Sequence, residues 1–326
     1  MRKFLLAILL LLTASLHAQS LSDKAYISIL TCAPGDELYA RYGHTAIRLV
    51  DPVNHLDLAF NYGVFDFYTD NFYWKFVKGD TWYELGLEPT EFFFDDYDET
   101  RPIYEQILNL TPEQLNNFVL ALRTNYMPEN RSYLYNFVFD NCATRPLNLI
   151  RNIYGDSLSS SYTGHQGETY RQYIRRYTGR GSWADFGINL IFGRRAMHHM
   201  QGDEALFLPE ELMNFLQSAT TSDGQPIVKP GQNIGTFAPR HTPWYATWYF
   251  GMGIALLLVI AISWLGQHFN HRNRWLDIIF ACIYGILFLI VVFLRFFSVH
   301  PLVGFGWRLF LIPIIYLCIR YIFRVK

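Results

Sequence analysis

Gly43-His44-Thr45-Ala46-Ile47-Arg48-Leu49-Val50 is followed by Asp51-Pro52-Val53-Asn54, and then by Leu56-Asp57-Leu58-Ala59-Phe60-Asn61-Tyr62. Two apolar, β-prone runs joined by Asp, Pro and Asn read as the strands of a hairpin. A histidine at the head of such a strand is held by the sheet yet lies at its open end. If the loop centres on Val53-Asn54, position 44 falls opposite 62–63, with Asn61 and Tyr62 as cross-strand neighbours. Asn61 is then placed to accept a hydrogen bond from the imidazole. His55 takes that role if the loop is shorter.

Outward from the hairpin the chain reads as α+β. Residues 25–31 are β-like, Cys32-Ala33-Pro34-Gly35-Asp36 is a turn, and 37–42 fit one helical turn. After the hairpin an aromatic-rich stretch runs through Tyr83, and 84–94 read as further strand. Thr111, Pro112 and Glu113 are helix-start signals, and Leu115, Phe118, Val119 and Leu122 share one face, predicting a helix over 112–125. Residues 133–139 read as extended. Asp140 and Asn141 then supply capping side chains for a helix from Cys142 to Tyr154, stopped by Gly155. Residues 155–187 look loop-rich and basic, and 206–216 form a short helix.

The ends of the chain are apolar. Arg2 and Lys3 precede a short apolar run, and Ala18 offers a small residue for cleavage, so 1–18 read as a signal peptide. A domain over 19–230 and a polar linker over 231–243 precede three runs at 244–265, 276–297 and 302–323, each long enough for a bilayer's roughly 20 residues. His268, His271, Arg272 and Arg274 lie between the first two runs, and Arg324 and Lys326 follow the third. Residues 298–301 carry no Lys or Arg. Basic loops mark the cytoplasmic side, so an exported domain and a cytoplasmic C-terminus agree. Lys and Arg total 27 against 28 Asp and Glu, which argues against nucleic acid as a partner. The hydrophobic share of 51% excludes a disordered chain. The apolar runs lack charges arranged as a pathway, which argues against a transporter.

Cys282 and Cys318 fall inside apolar runs, leaving Cys32 and Cys142 in the exported part. An oxidising compartment allows these two to form a disulfide. Alternatively Cys142, at a helix start behind Asn141, is a thiolate nucleophile with a lowered pKa. His44 is then its base and Asn61 the third polar member. Arg48 and Arg145 have forks that match a phosphate, or a structural carboxylate. Tyr42, beside His44, is a further substrate-binding candidate. Aromatic stretches at 72–82 and 92–97 border an acyl groove, dip into the membrane interface, or are ordinary aromatics of the sheet's core and the surface. The acidic run Asp95, Asp96, Asp98 and Glu99 lacks the glycine turn and distal Glu of a calcium loop. Adjacent His198 and His199 cannot share a helix face, which argues against zinc, so neither a metal nor a cofactor is expected.

The stretch Thr31 to Arg48, the segment Phe60-Asn61-Tyr62-Gly63-Val64-Phe65-Asp66-Phe67, the segment Tyr135 to Arg145 with its Asp140-Asn141-Cys142-Ala143-Thr144-Arg145, and Glu204 to Met213 resemble the Lnb-type lipoprotein N-acyltransferases of Bacteroidota. The order His-then-Cys is also similar to the circularly permuted papain-like fold of lecithin:retinol acyltransferase. The resemblance implies an LRAT-like periplasmic domain followed by a three-helix transmembrane domain in the bacterial inner membrane. It implies that Cys142 takes an acyl chain from a membrane phospholipid and passes it, through a thioester, to the α-amine of a diacylated lipoprotein, with His44 moving the proton. The membrane part departs from the family pattern: Gly304-Phe305-Gly306-Trp307-Arg308 follows His300-Pro301 where an Asn-rich stretch is expected. The rival readings are a membrane-anchored cysteine peptidase or amidase, and a non-enzymatic envelope protein with a Cys32–Cys142 disulfide.

Overall fold

The computed structural model describes residues 20–323 apart from 66–69, 98–100, 233, 239 and 272. The expected signal peptide, Asp98, Glu99, Arg272, Arg324 and Lys326 lie outside the described residues.

Alternating apolar residues build an antiparallel sheet from β1 (Tyr26–Cys32), β2 (His44–Asp51), β3 (Leu56–Val64), β4 (Trp82–Pro89), β5 (Ile103–Ile107) and β6 (Ser132–Leu134). Its strand order is β5-β1-β2-β3-β4-β6. In the β2–β3 hairpin Ile47 faces Phe60, a register that carries position 44 opposite 63, as the loop chemistry predicts. Asp51 accepts from Ser22 and Asn54 to tie the loop, and His55 closes it with φ 53° at the far end from His44.

One face of the sheet packs Ile27, Ile29, Ile47, Leu49, Phe60 and Tyr62 against two helices, α3 (Pro112–Tyr126) and α4 (Thr144–Tyr154). The start of α3 is a full capping box in which Thr111 and Gln114 satisfy each other's backbone N–H. The opposite face carries Leu30, Cys32, Ala46 and Ala59 beneath Phe93 of a short helix, α2 (Thr90–Asp95). That helix replaces the second half of the strand expected over 84–94.

Other expectations are corrected by backbone chemistry. Residues 37–42 form turns rather than helix, pinned by hydrogen bonds from Gly35 and Gly43 to the Ala40 carbonyl. The aromatic stretch after the hairpin contains a helix, α1 (Phe72–Lys78), bounded by Asn71 and Gly79 in left-handed conformation. Its Tyr73 and Trp74 are exposed, at 75% and 56%, so they are not sheet core. The basic segment at 155–187 contains α5 (Tyr170–Thr178), capped by Thr169 and Gln172, and the start of α6 (Trp183–Ile191), capped by Ser182. The short helix is α7 (Pro209–Ser218). At the end of the domain, Ile227 and Lys229 hydrogen-bond with Asn109 and Ile107 and cover the free edge of β5.

Two helices, α8 (Trp248–His268) and α9 (Arg274–Phe297), are long and apolar enough to cross a membrane. The third run differs from its expected bounds. Only α10 (Trp307–Ile322) is helical, 16 residues with Pro313 inside, about 24 Å at 1.5 Å per residue. Pro301, Gly304 and Gly306 break the run's first part, which docks on the sheet domain instead. Val299 donates to the Lys78 carbonyl, Gly193 to Leu302 and Gly304 to Ile191. Leu302 is buried among Phe192, Met200 and Phe207. At the other end of the helices Arg320 of α10 bonds Asp277 of α9 and Ser263 of α8, tying the three together.

Candidate active site

The site is assembled where β2 begins, β3 ends and α4 starts. The β2–β3 register puts 61 opposite 46, two residues from His44, so His44 and Asn61 both project to the face carrying Cys32 and Ala46. The His44 Nε2 lies 2.7 Å from Asn61 Oδ1. An amide oxygen only accepts, so Nε2 carries the hydrogen and Nδ1 is left for the thiol. Asn61 also bonds the Glu88 side chain. A carboxylate takes the NH₂ end of the amide, which turns the oxygen toward His44. Burial raises the Glu88 pKa, with Asp96 adding to the rise and Asn61 opposing it.

Cys142 sits two residues ahead of α4, which begins at Thr144 rather than at the cysteine itself. The delay comes from Asn141. Its Oδ1 accepts from the N–H groups of Ala143 and Thr144, both at 2.9 Å, while its Nδ2 donates to the carbonyls of Phe137 and Phe207. The Thr144 hydroxyl accepts in turn from the Asn141 N–H at 2.7 Å. Pro146 thus falls in the first helical turn, where an N–H is not needed. Asp140 grips Arg145 through two bonds of 2.6 and 2.8 Å, closing the turn that presents the cysteine.

Cys142 hydrogen-bonds His44. Burial pushes the thiol up, but the imidazole's charge and hydrogen bond, with the N–H groups of Thr45 and Cys142, outweigh it and leave the thiol below its ordinary pKa. Burial pulls His44 down, and Cys142 and Asn61 outweigh that and raise it. Both directions favour a thiolate–imidazolium pair. Cys32 is directly opposite His44 in the β1–β2 register, yet it hydrogen-bonds Tyr97, and burial pushes its thiol up to about 12. Both cysteines are free, so the disulfide reading is not what the structure shows.

Two features escape sequence reasoning. Gly63 has φ 104°, and a Cβ there would lie 3.9 Å from each of Cys142 Cβ, His44 Cε1 and the Tyr133 hydroxyl. The missing side chain keeps open the space where those three meet. The Tyr133 hydroxyl itself is buried with no hydrogen-bond partner among the described residues. Tyr133 is stacked under Arg145, 3.5 Å from guanidinium carbon to ring centroid. No sequence periodicity marks a tyrosine whose importance comes from lacking a partner.

The proposed substrate-binding residues have protein partners. Arg48 bonds Asp57 and Glu105, and Arg145 is held by Asp140. Tyr42 packs edge-on against Phe137, 4.7 Å between centroids, and supports the turn before His44.

Fold and site together define a mixed α/β protein with an activated cysteine at the end of an antiparallel sheet, joined to apolar helices. The chain belongs to the family of Lnb N-terminal periplasmic domains, which matches residues 13–178. Membership points to an Lnb-type, lipoprotein-processing enzyme, membrane-anchored and with a periplasmic domain. No curated protein and no solved structure was found to match the chain.

Proposed function

We propose that the protein is a lipoprotein N-acyltransferase that moves an acyl chain from a membrane phospholipid to the α-amine of a diacylglyceryl-cysteine lipoprotein. The observation that carries this reading is the Cys142–His44–Asn61 row in an Lnb-family domain seated on apolar helices. The Cys142 thiolate attacks an ester carbonyl of the phospholipid. The oxyanion that forms is within the province of the unpartnered Tyr133 hydroxyl, a buried donor with nothing else to bond. Collapse breaks the ester C–O bond, and His44 gives its proton to the departing lysophospholipid. The lipoprotein amine then attacks the thioester, His44 takes the amine proton, and the thiolate leaves, restoring the starting pair. Asn61 holds the ring throughout, and ping-pong kinetics follow.

In this reading the catalytic domain stands on the periplasmic face of the inner membrane. The helices cross it, and the basic loop after α8 and the C-terminus are cytoplasmic. The exposed aromatic residues of α1 lie at the bilayer surface, because Trp74 packs on Phe293 near the end of α9, at 5.0 Å.

The test is mass spectrometry of a lipoprotein N-terminal peptide from cells lacking their own N-acyltransferase. A third acyl chain with the wild type and a free amine with Cys142→Ala is the expected result. A free amine in both, with the protein inserted and folded, overturns the reading in favour of a peptidase or amidase.

A further inference from the structure

Because Arg48 and Arg145 are engaged by carboxylates, a phosphate must be recognised elsewhere if the substrate is a phospholipid. A cavity of about 590 Å³ opens where the end of α5 meets the start of α8, lined by Arg175, Arg180, Arg240, His241, Trp248 and Tyr249. Its cations differ in their freedom. Arg175 is clamped by Asp185 at 2.7 and 2.9 Å, and Arg240 is paired with Asp36. Arg180 is exposed and has no carboxylate partner among the described residues. The wall is fixed: Trp248 donates to the Gly181 carbonyl, and the Cβ that Gly181 lacks would lie 2.8 Å from the Tyr249 ring.

Position and charge act together. Trp244, Tyr245, Trp248 and Tyr249 crowd the first turn of α8 and the residues before it, the place where amphipathic rings sit at headgroup depth. A second cavity of about 280 Å³ shares Arg240 and extends to Arg41 and to Ala33-Pro34, the residues after Cys32. Arg41 spends its hydrogen bonds on the carbonyls of Asp36 and Thr178. Cys32 is opposite His44 in the sheet, so the paired cavities lead from the start of α8 toward the catalytic end of the sheet.

We propose that the Arg180 cavity binds the phosphate of a phospholipid headgroup, with Arg180 as the fork that engages it and Arg240 and His241 beside it. The inference rests on the acyltransferase reading for its purpose, but its test does not. Full-length protein carrying Cys142→Ala is purified in neutral detergent, and lipid retention is read by native mass spectrometry. Phosphatidylglycerol, the matching diacylglycerol and inorganic phosphate are titrated separately. Adding Arg180→Gln is expected to weaken phosphatidylglycerol binding about tenfold, the scale of one lost charge-assisted fork, while diacylglycerol binding stays unchanged. Equal phosphatidylglycerol binding with and without Arg180→Gln overturns the proposal, as does an equal loss for both lipids. Inorganic phosphate binding through Arg180 as tightly as the lipid overturns the lipid assignment. Because the parent lacks the nucleophile, Arg180-dependent binding stands even if the lipoprotein assay shows no acyl transfer.

Discussion

At the scale of single residues, the site turns on which proton sits where. His44 raised and Cys142 lowered both shift the site toward the thiolate–imidazolium ion pair. It is lost as pH falls through the thiol's value and again as pH rises through the imidazole's. Alkylation of Cys142 by iodoacetamide is therefore expected to be fast at neutral pH, while Cys32 stays unreactive. His44→Ala should move the Cys142 curve to higher pH, and an unmoved curve would remove the pair from the mechanism. In acyl transfer His44→Ala should cost about 10²–10⁴ and Asn61→Ala about tenfold to a hundredfold, since the first removes the proton carrier and the second only its orientation. Gly63→Ala forces a Cβ onto a backbone at φ 104° and into the meeting point of thiol, ring and Tyr133. It should lower acyl transfer more than it lowers the melting temperature. Of these residues His44 and Asn61 were legible as neighbours, because a strand's period of two and a short hairpin loop fix them locally. Cys142 was legible as the thiol at a helix start behind Asn141, its pairing with His44 resting on the family resemblance. Gly63 and Tyr133 were not, since their importance is a matter of space and of a missing partner.

At the scale of elements, the turn before α4 carries the most. Asn141 is buried and uses its side-chain amide in four hydrogen bonds, two within the turn and two to the carbonyls of Phe137 and Phe207. Asn141→Ala strands those groups and should lower unfolding stability by about 2–3 kcal/mol, read from denaturant midpoints. Thr144→Val, which removes one capping acceptor, should cost about 1 kcal/mol. The partner carbonyl at Phe207 explains why the segment 204–213, far away in the chain, belongs to the same pattern of residues as the cysteine. Sequence expected Asp140 and Asn141 to cap a helix from Cys142. Asn141 does bond backbone N–H groups, but Asp140 bonds Arg145 and the helix begins two residues later, because a side chain that bonds backbone N–H groups satisfies them without helical dihedrals. Residues 90–94 of α2 read as strand because Thr and Phe favour sheets in general, while packing on the surface beneath sets the local outcome. The aromatic stretch that holds α1 is given no element by the sequence reading, and Asn71 and Gly79 in left-handed conformation bound its helix. The cavity around Arg180 was hidden more deeply, since its arginines come from segments some 60 residues apart that only the fold brings together.

At the scale of the whole molecule, the sheet domain and the apolar helices are joined by more than a tether. Residues 299–304 run over the domain, with His300 Nε2 at 3.0 Å from the Phe76 carbonyl and Leu302 in a core pocket. Gly193 and Gly304 meet backbone to backbone, so a Cβ on Gly193 would lie 2.6 Å from the Gly304 Cα. Gly193→Val is expected to separate the two parts, seen as faster hydrogen exchange over 190–193 and 299–304 with the central sheet still protected. The sequence reading began a third span at 302, inside this loop, because its residues are apolar. They are apolar because they plug protein. The plug also decides how the protein can be cut. The stretch shared with the family ends at 178, but the pocket that receives Leu302 is built from residues on both sides of that limit. A soluble fragment cut before α8 would lose its stopper and expose a raw apolar socket. Any piece of the protein meant to stay soluble therefore has to keep residues 299–304 together with the domain they plug.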